Sequence, residues 1–201
     1  MTSQTTERLG ERTPGFVAAD RTSHRQMRCL TGIRVEVAHL HGPRPHPEDL
    51  RSKRPRLTAI LEQVGGRAEM LLTPHSPAQS MPTSAEWTAR HLTFVPAGIP
   101  LWQFARRSHY IRRLVIDFDL LELAEFFGDA LEFTSRLAPR VMFQDNRLLA
   151  LVELLADACV GTDPDDRFYG DSLALAISHN LFGLRRQEEK GVGLPPHNFG
   201  G

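Results

Sequence analysis

The sequence lacks the features that mark several large classes of protein. Its 201 residues include two cysteines, Cys29 and Cys159, which stand far apart and form no CxxC pair. A disulfide framework is therefore not expected. No run of apolar residues is long enough to span a membrane, and the amino terminus carries charges where a secretory signal would have its apolar stretch. We expect a cytoplasmic protein that makes no contact with a membrane.

The sequence also lacks an excess of charge of either sign. It has 24 basic and 24 acidic residues and a formal net charge of zero. This balance argues against a protein whose whole surface binds nucleic acid or anionic lipid. Because 41% of the residues are hydrophobic, the chain can bury a core of ordinary size. The length predicts one compact domain with tails.

The motifs of nucleophilic catalysis and of nucleotide binding are missing as well. There is no GxSxG sequence and no glycine pattern of the Walker or dinucleotide-binding kind. Asp117 and Asp119 flank Phe118 and could act as an acid/base pair, but capping the strand-to-helix turn is the better interpretation. We therefore predict a protein that is not an enzyme, with no catalytic residue and no cofactor.

The first half of the chain has the pattern of short strands. Apolar residues alternate with polar ones in brief runs, and glycine and proline stand between these runs. This pattern is typical of a small antiparallel sandwich or barrel. The runs are Leu30–Leu40, Leu57–Val64, Ala68–Leu72, His91–Val95 and Tyr110–Phe118.

After Asp119 the apolar residues follow helical spacing. Asp145 is a good N-cap for the second helix and Gly161 a good terminator. Two long helices joined by a short loop predict an antiparallel hairpin. The predicted helices are Leu120–Phe127, Asn146–Cys159 and Arg167–Leu184.

Histidine spacing raises the possibility of a metal site. His39 and His41 share one face of a strand, and Glu48 follows. Cupin-type barrels build metal sites from such an HxH pair with a later glutamate and a further histidine. Here prolines interrupt the segment before Glu48, and Leu101 stands where the final histidine would be. A solvated loop is the favoured interpretation, and a small metal-dependent cupin enzyme is the alternative.

A basic cluster with neighbouring aromatic residues lies before and within the strongest predicted strand. It contains Arg112 and Arg113, which must point to opposite faces of that strand. One of them could be solvated while the other pairs with a carboxylate or an anionic ligand inside a barrel. Structural pairing, effector contact and nucleic-acid contact remain open for this cluster. Its members are Trp102, Phe104, Arg106, Arg107, His109, Arg112 and Arg113.

Three segments in order resemble the amino-terminal sensing domain of AraC-type bacterial transcription regulators. LTFVPAGIPLWQF, from Leu92, is similar to that family's strand followed by a Pro-Ala-Gly turn, and YIRRLVIDFD, from Tyr110, is similar to its next strand. The segments PRVMFQDNRLLALVELLADAC and DDRFYGDSLALAISHNLFG are similar to its paired helices.

The resemblance implies an α+β fold, with a small antiparallel cupin-like β-barrel followed by a helix hairpin that forms a dimer. In these terms residues 1–27 are a flexible tail, 28–119 the barrel, 120–187 the helical dimerisation segment and 188–201 a linker-like tail. The family's carboxy-terminal helix-turn-helix units have no counterpart in this sequence. We therefore expect a truncated regulator that acts on DNA only indirectly. Its expected partners are a small-molecule effector and a second copy or an intact related regulator.

The resemblance also suggests where effector and dimer contacts would lie. Inward positions of the strands would contact the effector, for which the candidates are His39, Trp102, Phe104 and Arg112. One stripe of the second helix would contact the partner, for which the candidates are Leu148, Leu151 and Leu155. Burying a leucine contributes roughly 1.5–3 kcal/mol whichever surface covers it. The apolar character of the stripe therefore cannot separate core from dimer contact.

Overall fold

A computed structural model describes residues 23–72, 90–105, 107–127, 137–160 and 165–182 of the chain. Two β-sheets are followed by helices, which is the α+β, cupin-like arrangement that was predicted. The strands are β1 (Ser23–Leu30), β2 (Ile33–His41), β3 (Arg44–Asp49), β4 (Arg56–Gly65), β5 (Glu69–Leu72), β6 (His91–Val95), β7 (Leu101–Ala105), β8 (Ser108–Phe118) and β9 (Arg140–Phe143). The helices are α1 (Leu120–Phe127), α2 (Asn146–Val160) and α3 (Asp165–Phe182).

The larger sheet has six strands in the order β1-β2-β8-β4-β6-β9, and all its neighbours are antiparallel. β1 and β2 form a hairpin whose turn contains Gly32 at a φ of 65°. A side chain at this position would overlap with Leu123 of α1. Glycine therefore allows both the left-handed turn and the close contact between the hairpin and the helix.

The smaller sheet has three antiparallel strands in the order β3-β7-β5. β3 contains Pro45 and Pro47, and the expectation that these prolines prevent strand pairing is wrong. Proline is tolerated on an edge strand, and β3 is an edge strand with an irregular register between Arg44 and Glu48. This irregular strand still directs Glu48 inward.

Two apolar cores lie on opposite faces of the larger sheet. One lies between the sheets and includes Leu40, Ile60, Met70, Leu101 and Ile111. The other lies under the helices and takes alternate residues of the same strands together with residues of all three helices. Side chains of a strand point alternately to its two faces. β2, β4 and β8 therefore contribute to both cores.

α1 and α2 begin where their capping residues predict, whereas α3 begins at Asp165 and not at the predicted Arg167. Asp145 accepts a hydrogen bond through Oδ1 from the Leu148 amide at 2.9 Å, as expected of the N-cap of α2. Asp119 accepts bonds from the amides of Leu121 and Glu122 at the start of α1. Asp117 forms an ion pair with Arg56 at 2.7 Å. Asp119 therefore caps the turn as predicted, whereas Asp117 binds Arg56 and does not cap the helix.

The amino-terminal boundary differs from the prediction. β1 begins at Ser23, inside the segment assigned to a flexible tail, because its backbone pairs with β2 along the whole strand. Its sequence SHRQMRCL has no alternation that could reveal a strand. The tail before Ser23 and the linker-like segment 188–201 lie outside the described residues. Among the described helices, none has the length and apolar character needed to cross a membrane.

Candidate functional site

A buried arginine lies between the two sheets. Alternation along β8 directs Leu114, Ile116 and Phe118 toward the helices and directs Ile111 and Arg113 toward the smaller sheet. Arg113 is 1% exposed and is among the largest fully buried side chains of the described chain. A buried guanidinium requires charge compensation, and residues of the smaller sheet provide it.

Glu48 and Gln103 bind the Arg113 guanidinium. Its Nη1 donates to Glu48 Oε2 at 3.0 Å and its Nη2 donates to Glu48 Oε1 at 3.1 Å, so the carboxylate is held by two bonds. Nη1 also donates to Gln103 Oε1 at 2.5 Å. Glu48 comes from β3 and Gln103 from β7, and these residues are register partners in the smaller sheet. We call these three residues the interior site.

The walls of the interior site are apolar on both sides of Arg113. Its register partners are Ala38 on β2 and Ile60 on β4, and both belong to the core between the sheets. His91 pairs with Ile60 in the same row and is completely buried. A single ion pair in such surroundings is stronger than one in water.

The predicted effector residues His39 and Arg112 lie on the other face of the larger sheet. They are register partners, and Arg112 forms a 2.6 Å ion pair with Asp157 of α2. His39 Nδ1 is 2.8 Å from the Tyr110 hydroxyl, and His41 is stacked obliquely near the same phenol ring. The structure therefore joins these two predicted residues, but on the helix-covered face of the sheet.

Trp102 and Phe104 also lie away from the interior site. In β7 Leu101, Gln103 and Ala105 face the space between the sheets, so Trp102 and Phe104 point to the opposite face. Phe104 is buried there and Trp102 is half-buried. None of the four predicted effector residues belongs to the interior site.

The structure does not assemble the proposed metal ligands. Glu48 binds Arg113 between the sheets, whereas His39 lies on the opposite face beside Tyr110 and His41 is exposed. Within the described ranges, no group of three or more histidine, cysteine, aspartate or glutamate residues is placed to hold a metal ion. The HxH-and-glutamate alternative thus gains no geometric support.

The predicted dimer leucines lie largely in the core of this chain. Leu148 is 1% exposed and Leu155 is completely buried, and both pack in the core under the helices. Leu151 is partly buried against the same core. On the outward side of α2, Leu154 is exposed over 45% of its surface. Formation of a dimer stays a prediction. Because Leu148 and Leu155 are buried within the chain and Leu154 is exposed, we expect any dimer contact on the side of α2 that carries Leu154.

Sequence reasoning missed Arg113 and Gln103 as a functional pair. Alternation already showed that Arg112 and Arg113 point in opposite directions, but it could not say which of them lies inside. The useful signal was the match between the charge of one arginine and the carboxylate of Glu48. This signal was lost because the prolines beside Glu48 suggested a solvated loop.

Burial, together with the Glu62 carboxylate, raises the pKa of the Tyr110 phenol above its ordinary value of 10.0, while Arg112 opposes the shift. The folded state therefore holds the phenolic proton more tightly than the unfolded state. The resulting stability is complete below pH 10 and is lost as the pH rises through the pKa of the folded protein.

This shift predicts the outcome of an alkaline titration. In a Tyr169→Phe variant Tyr110 is the only tyrosine, so its ionisation can be followed by ultraviolet absorbance. We expect the folded protein to titrate at higher pH than the same protein in urea. Glu62→Gln should lower the folded value and Arg112→Gln should raise it. An increase with Glu62→Gln would contradict the assigned causes.

The comparisons with known proteins bear on the fold. The sequence matches no protein-family model and no curated protein. Among solved structures it is similar to a cupin-family protein with a double-stranded β-helix fold from Methanocaldococcus jannaschii, at 14% identity and a TM-score of 0.31, over 58% of this chain and 94% of that one.

Two enzymes are also among the similar structures. The DMSP lyase DddQ from Ruegeria pomeroyi is 17% identical over 69% of this chain and 61% of its own, with a TM-score of 0.31. The salicylate 1,2-dioxygenase from Pseudoaminobacter salicylatoxidans is 12% identical over 64% of this chain and 31% of its own, with a TM-score of 0.32. The expectation that the chain is not an enzyme is therefore corrected, because enzymes occur among the proteins with a similar fold. At these identities the likeness concerns the cupin-like fold alone and assigns no reaction to this chain.

Proposed function

We propose that this chain is the effector-sensing and dimerisation domain of an AraC-type transcription regulator. The interior site would receive the effector, and α2 would contact a second copy or a related regulator. The order of the cupin-like sheets and the paired helices agrees with what the sequence resemblance implies. The single observation that carries the proposal is a self-complementary stripe on the exposed side of α2.

This stripe, which we call the α2 stripe, consists of four exposed residues. They are Arg147, Ala150, Leu154 and Asp157. The intervals between them are three, four and three positions, which is the spacing of residues that face a partner helix in a coiled coil. The buried residues Leu148, Val152 and Leu155 occupy the other side of the helix. The α2 stripe is therefore available to a partner without opening the core.

The α2 stripe matches a second copy of itself when the two helices run antiparallel. A two-fold axis at the position of Val152 places Arg147 opposite Asp157 and Ala150 opposite Leu154. Opposite charges then meet at both ends, and a small residue faces a large one near the axis. The partner helix would also lie against a groove of about 410 Å³, lined by Arg112, Ala150, Glu153, Leu154 and Asp157. Asp157 and Glu153 of this groove pair with Arg112 and Arg90 of their own chain, so an incoming Arg147 would share these carboxylates.

Analytical ultracentrifugation tests the dimer. At roughly 100 µM protein we expect a dimer, and Leu154→Glu should weaken association at least about tenfold because it places like charges beside the axis. Leu121→Glu is the matched control, since Leu121 is exposed on α1 and lies outside the α2 stripe. Arg147→Glu should also weaken the dimer, because it reverses the charge that faces Asp157 of the second copy.

Two results would overturn the proposal. One is a monomeric protein at this concentration. The other is equal disruption by Leu154→Glu and Leu121→Glu, which would show that added charge alone prevents association.

A further inference from the structure

β9 lies between the edges of the two sheets. It is the last strand of the larger sheet, where it pairs with β6, and it also contacts β5, which is an edge strand of the smaller sheet. Two of its residues pack against different cores. Met142 packs against the core between the sheets, whereas Phe143 packs against the core under the helices. β9 therefore closes one side of the space between the sheets.

The pairing of β9 with β6 contains a β-bulge. Between two paired positions β6 has one residue, Thr93, and β9 has two residues, Val141 and Met142. The extra residue of a bulge re-aims a side chain that regular pairing would place elsewhere. Here the bulge brings Met142 to the core between the sheets.

The bulge puts Met142 in a backbone conformation that suits glycine. Its φ is 49°, and among the described residues it is the one residue other than glycine with a positive φ. The left-handed region costs free energy for a residue that has a Cβ atom, and in one common type of bulge a glycine occupies this region. The closed position of β9 therefore includes backbone strain that its release would relieve.

A hydrogen bond to a side chain holds the bulge in place. The Met142 amide donates to the Thr93 hydroxyl at 3.0 Å, and Thr93 is completely buried. The Arg140 guanidinium lies 4.3 Å from the centre of the Phe143 ring, but this contact lies within β9 and adds nothing to the pairing with β6. The Thr93 bond and the packing of Met142 and Phe143 therefore oppose the strain.

We propose that β9 is a strap, strained at Met142, that leaves β6 and opens the space between the sheets while the rest of the fold stays intact. β9 has four residues and one neighbour in its sheet, whereas β8 has eleven residues and a neighbour on each side. Local opening occurs where few contacts are lost. This inference concerns the conformational behaviour of the fold, and it does not depend on the proposed sensing or dimerisation.

Native-state hydrogen exchange followed by nuclear magnetic resonance tests the proposal. The Met142 amide is the reporter, because its bond to Thr93 must break before it exchanges. The amides of β8, which is paired on both sides, report the unfolding of the whole protein. After correction for the intrinsic rate of each amide, we expect Met142 to exchange at least about tenfold faster than β8. Its rate should depend little on low concentrations of urea, because a local opening exposes little surface.

Two results on the unchanged protein would overturn the proposal. Equal rates and equal urea dependence for Met142 and β8 would show that β9 leaves β6 only when the whole protein unfolds. Exchange of the Met142 amide without any protection would show that β9 is not closed in solution.

Paired substitutions at the two bulge residues test the contribution of strain. Met142→Gly and Met142→Ala both remove the packed side chain, but only alanine keeps the Cβ atom that the left-handed backbone disfavours. We expect the open form to be at least about threefold less populated with glycine than with alanine. Val141 is the matched control, because it lies in the same bulge and has no positive φ. At Val141 glycine should instead favour opening, since it is the more flexible residue.

The order of the two variants at each position decides the outcome. Glycine that favours opening at both Met142 and Val141 would overturn the proposal that strain at Met142 promotes release. If a variant does not fold, the urea dependence of exchange in the unchanged protein decides alone.

Discussion

Replacing Glu48 by leucine is expected to lower the free energy of unfolding by about 3–5 kcal/mol, because it leaves the buried Arg113 guanidinium without its counter-charge. Arg113 is 1% exposed and cannot regain water without opening the space between the sheets. Urea denaturation followed by circular dichroism would measure the change from the shift in midpoint. Arg113→Met should cost less, since the Glu48 side chain keeps a quarter of its surface in solvent.

The double variant Glu48→Leu with Arg113→Met provides the matched control. With both charges removed no ion remains buried, and such replacements are often neutral or stabilising when the new side chains pack well. We expect the double variant to recover at least about half of the loss caused by Glu48→Leu alone. A loss below about 1 kcal/mol for Glu48→Leu would mean that water reaches the guanidinium. The account of a closed, charge-compensated site would then fail.

Two elements, β8 and α2, could be predicted because local sequence signals determine them. β8 is buried on both faces, with four consecutive buried residues from Arg113 to Ile116, and its sequence YIRRLVIDF predicts a strand with two apolar faces. The Asp145 cap and the helical spacing of its leucines predict α2 with the correct start. In both elements the capping or alternation signal agrees with the burial pattern. Agreement between local and global preferences is what makes an element predictable.

β1 and β3 could not be predicted because long-range pairing determines them. The polar sequence of β1 pairs with β2 through backbone bonds that do not depend on side chains. β3 accommodates its prolines because it lies at an edge of the smaller sheet, and a sequence does not state which strand will be at an edge. Misreading β3 removed Glu48 from the site, and without Glu48 there was no reason to prefer Arg113 over Arg112.

Long-range packing also explains why the leucines of α2 were predicted as dimer contacts. Leu148, Leu151 and Leu155 form a stripe at helical spacing, and a stripe of leucines suits a sheet below the helix as well as a partner helix. The structure places the sheet there. The α2 stripe is less apolar than the leucine stripe, since it holds one leucine, one alanine and two charged residues. Hydrophobicity therefore identifies the core face, whereas exposure and charge pairing identify the face open to a partner.

Replacing either of two neighbouring leucines of α2 by alanine should lower the free energy of unfolding by very different amounts. Leu155 is completely buried in the core under the helices, so Leu155→Ala should lower the free energy of unfolding by about 2–5 kcal/mol. Leu154 is 45% exposed, and Leu154→Ala should change the stability of the monomer by no more than about 0.5 kcal/mol. Both variants gain the same helix-forming residue, so helix propensity does not distinguish them.

The dependence of stability on protein concentration further distinguishes the core role of Leu155 from the proposed dimer contact of Leu154. The loss caused by Leu155→Ala should be the same at all concentrations, because it lies within one chain. The effect of Leu154→Ala should appear only where the protein is dimeric, because association stabilises the folded state by mass action. Urea denaturation at two protein concentrations, one below and one above the dimer dissociation constant, would show this difference. A concentration-independent loss for Leu154→Ala as large as that for Leu155→Ala would place Leu154 in the core and remove the α2 stripe as a contact surface.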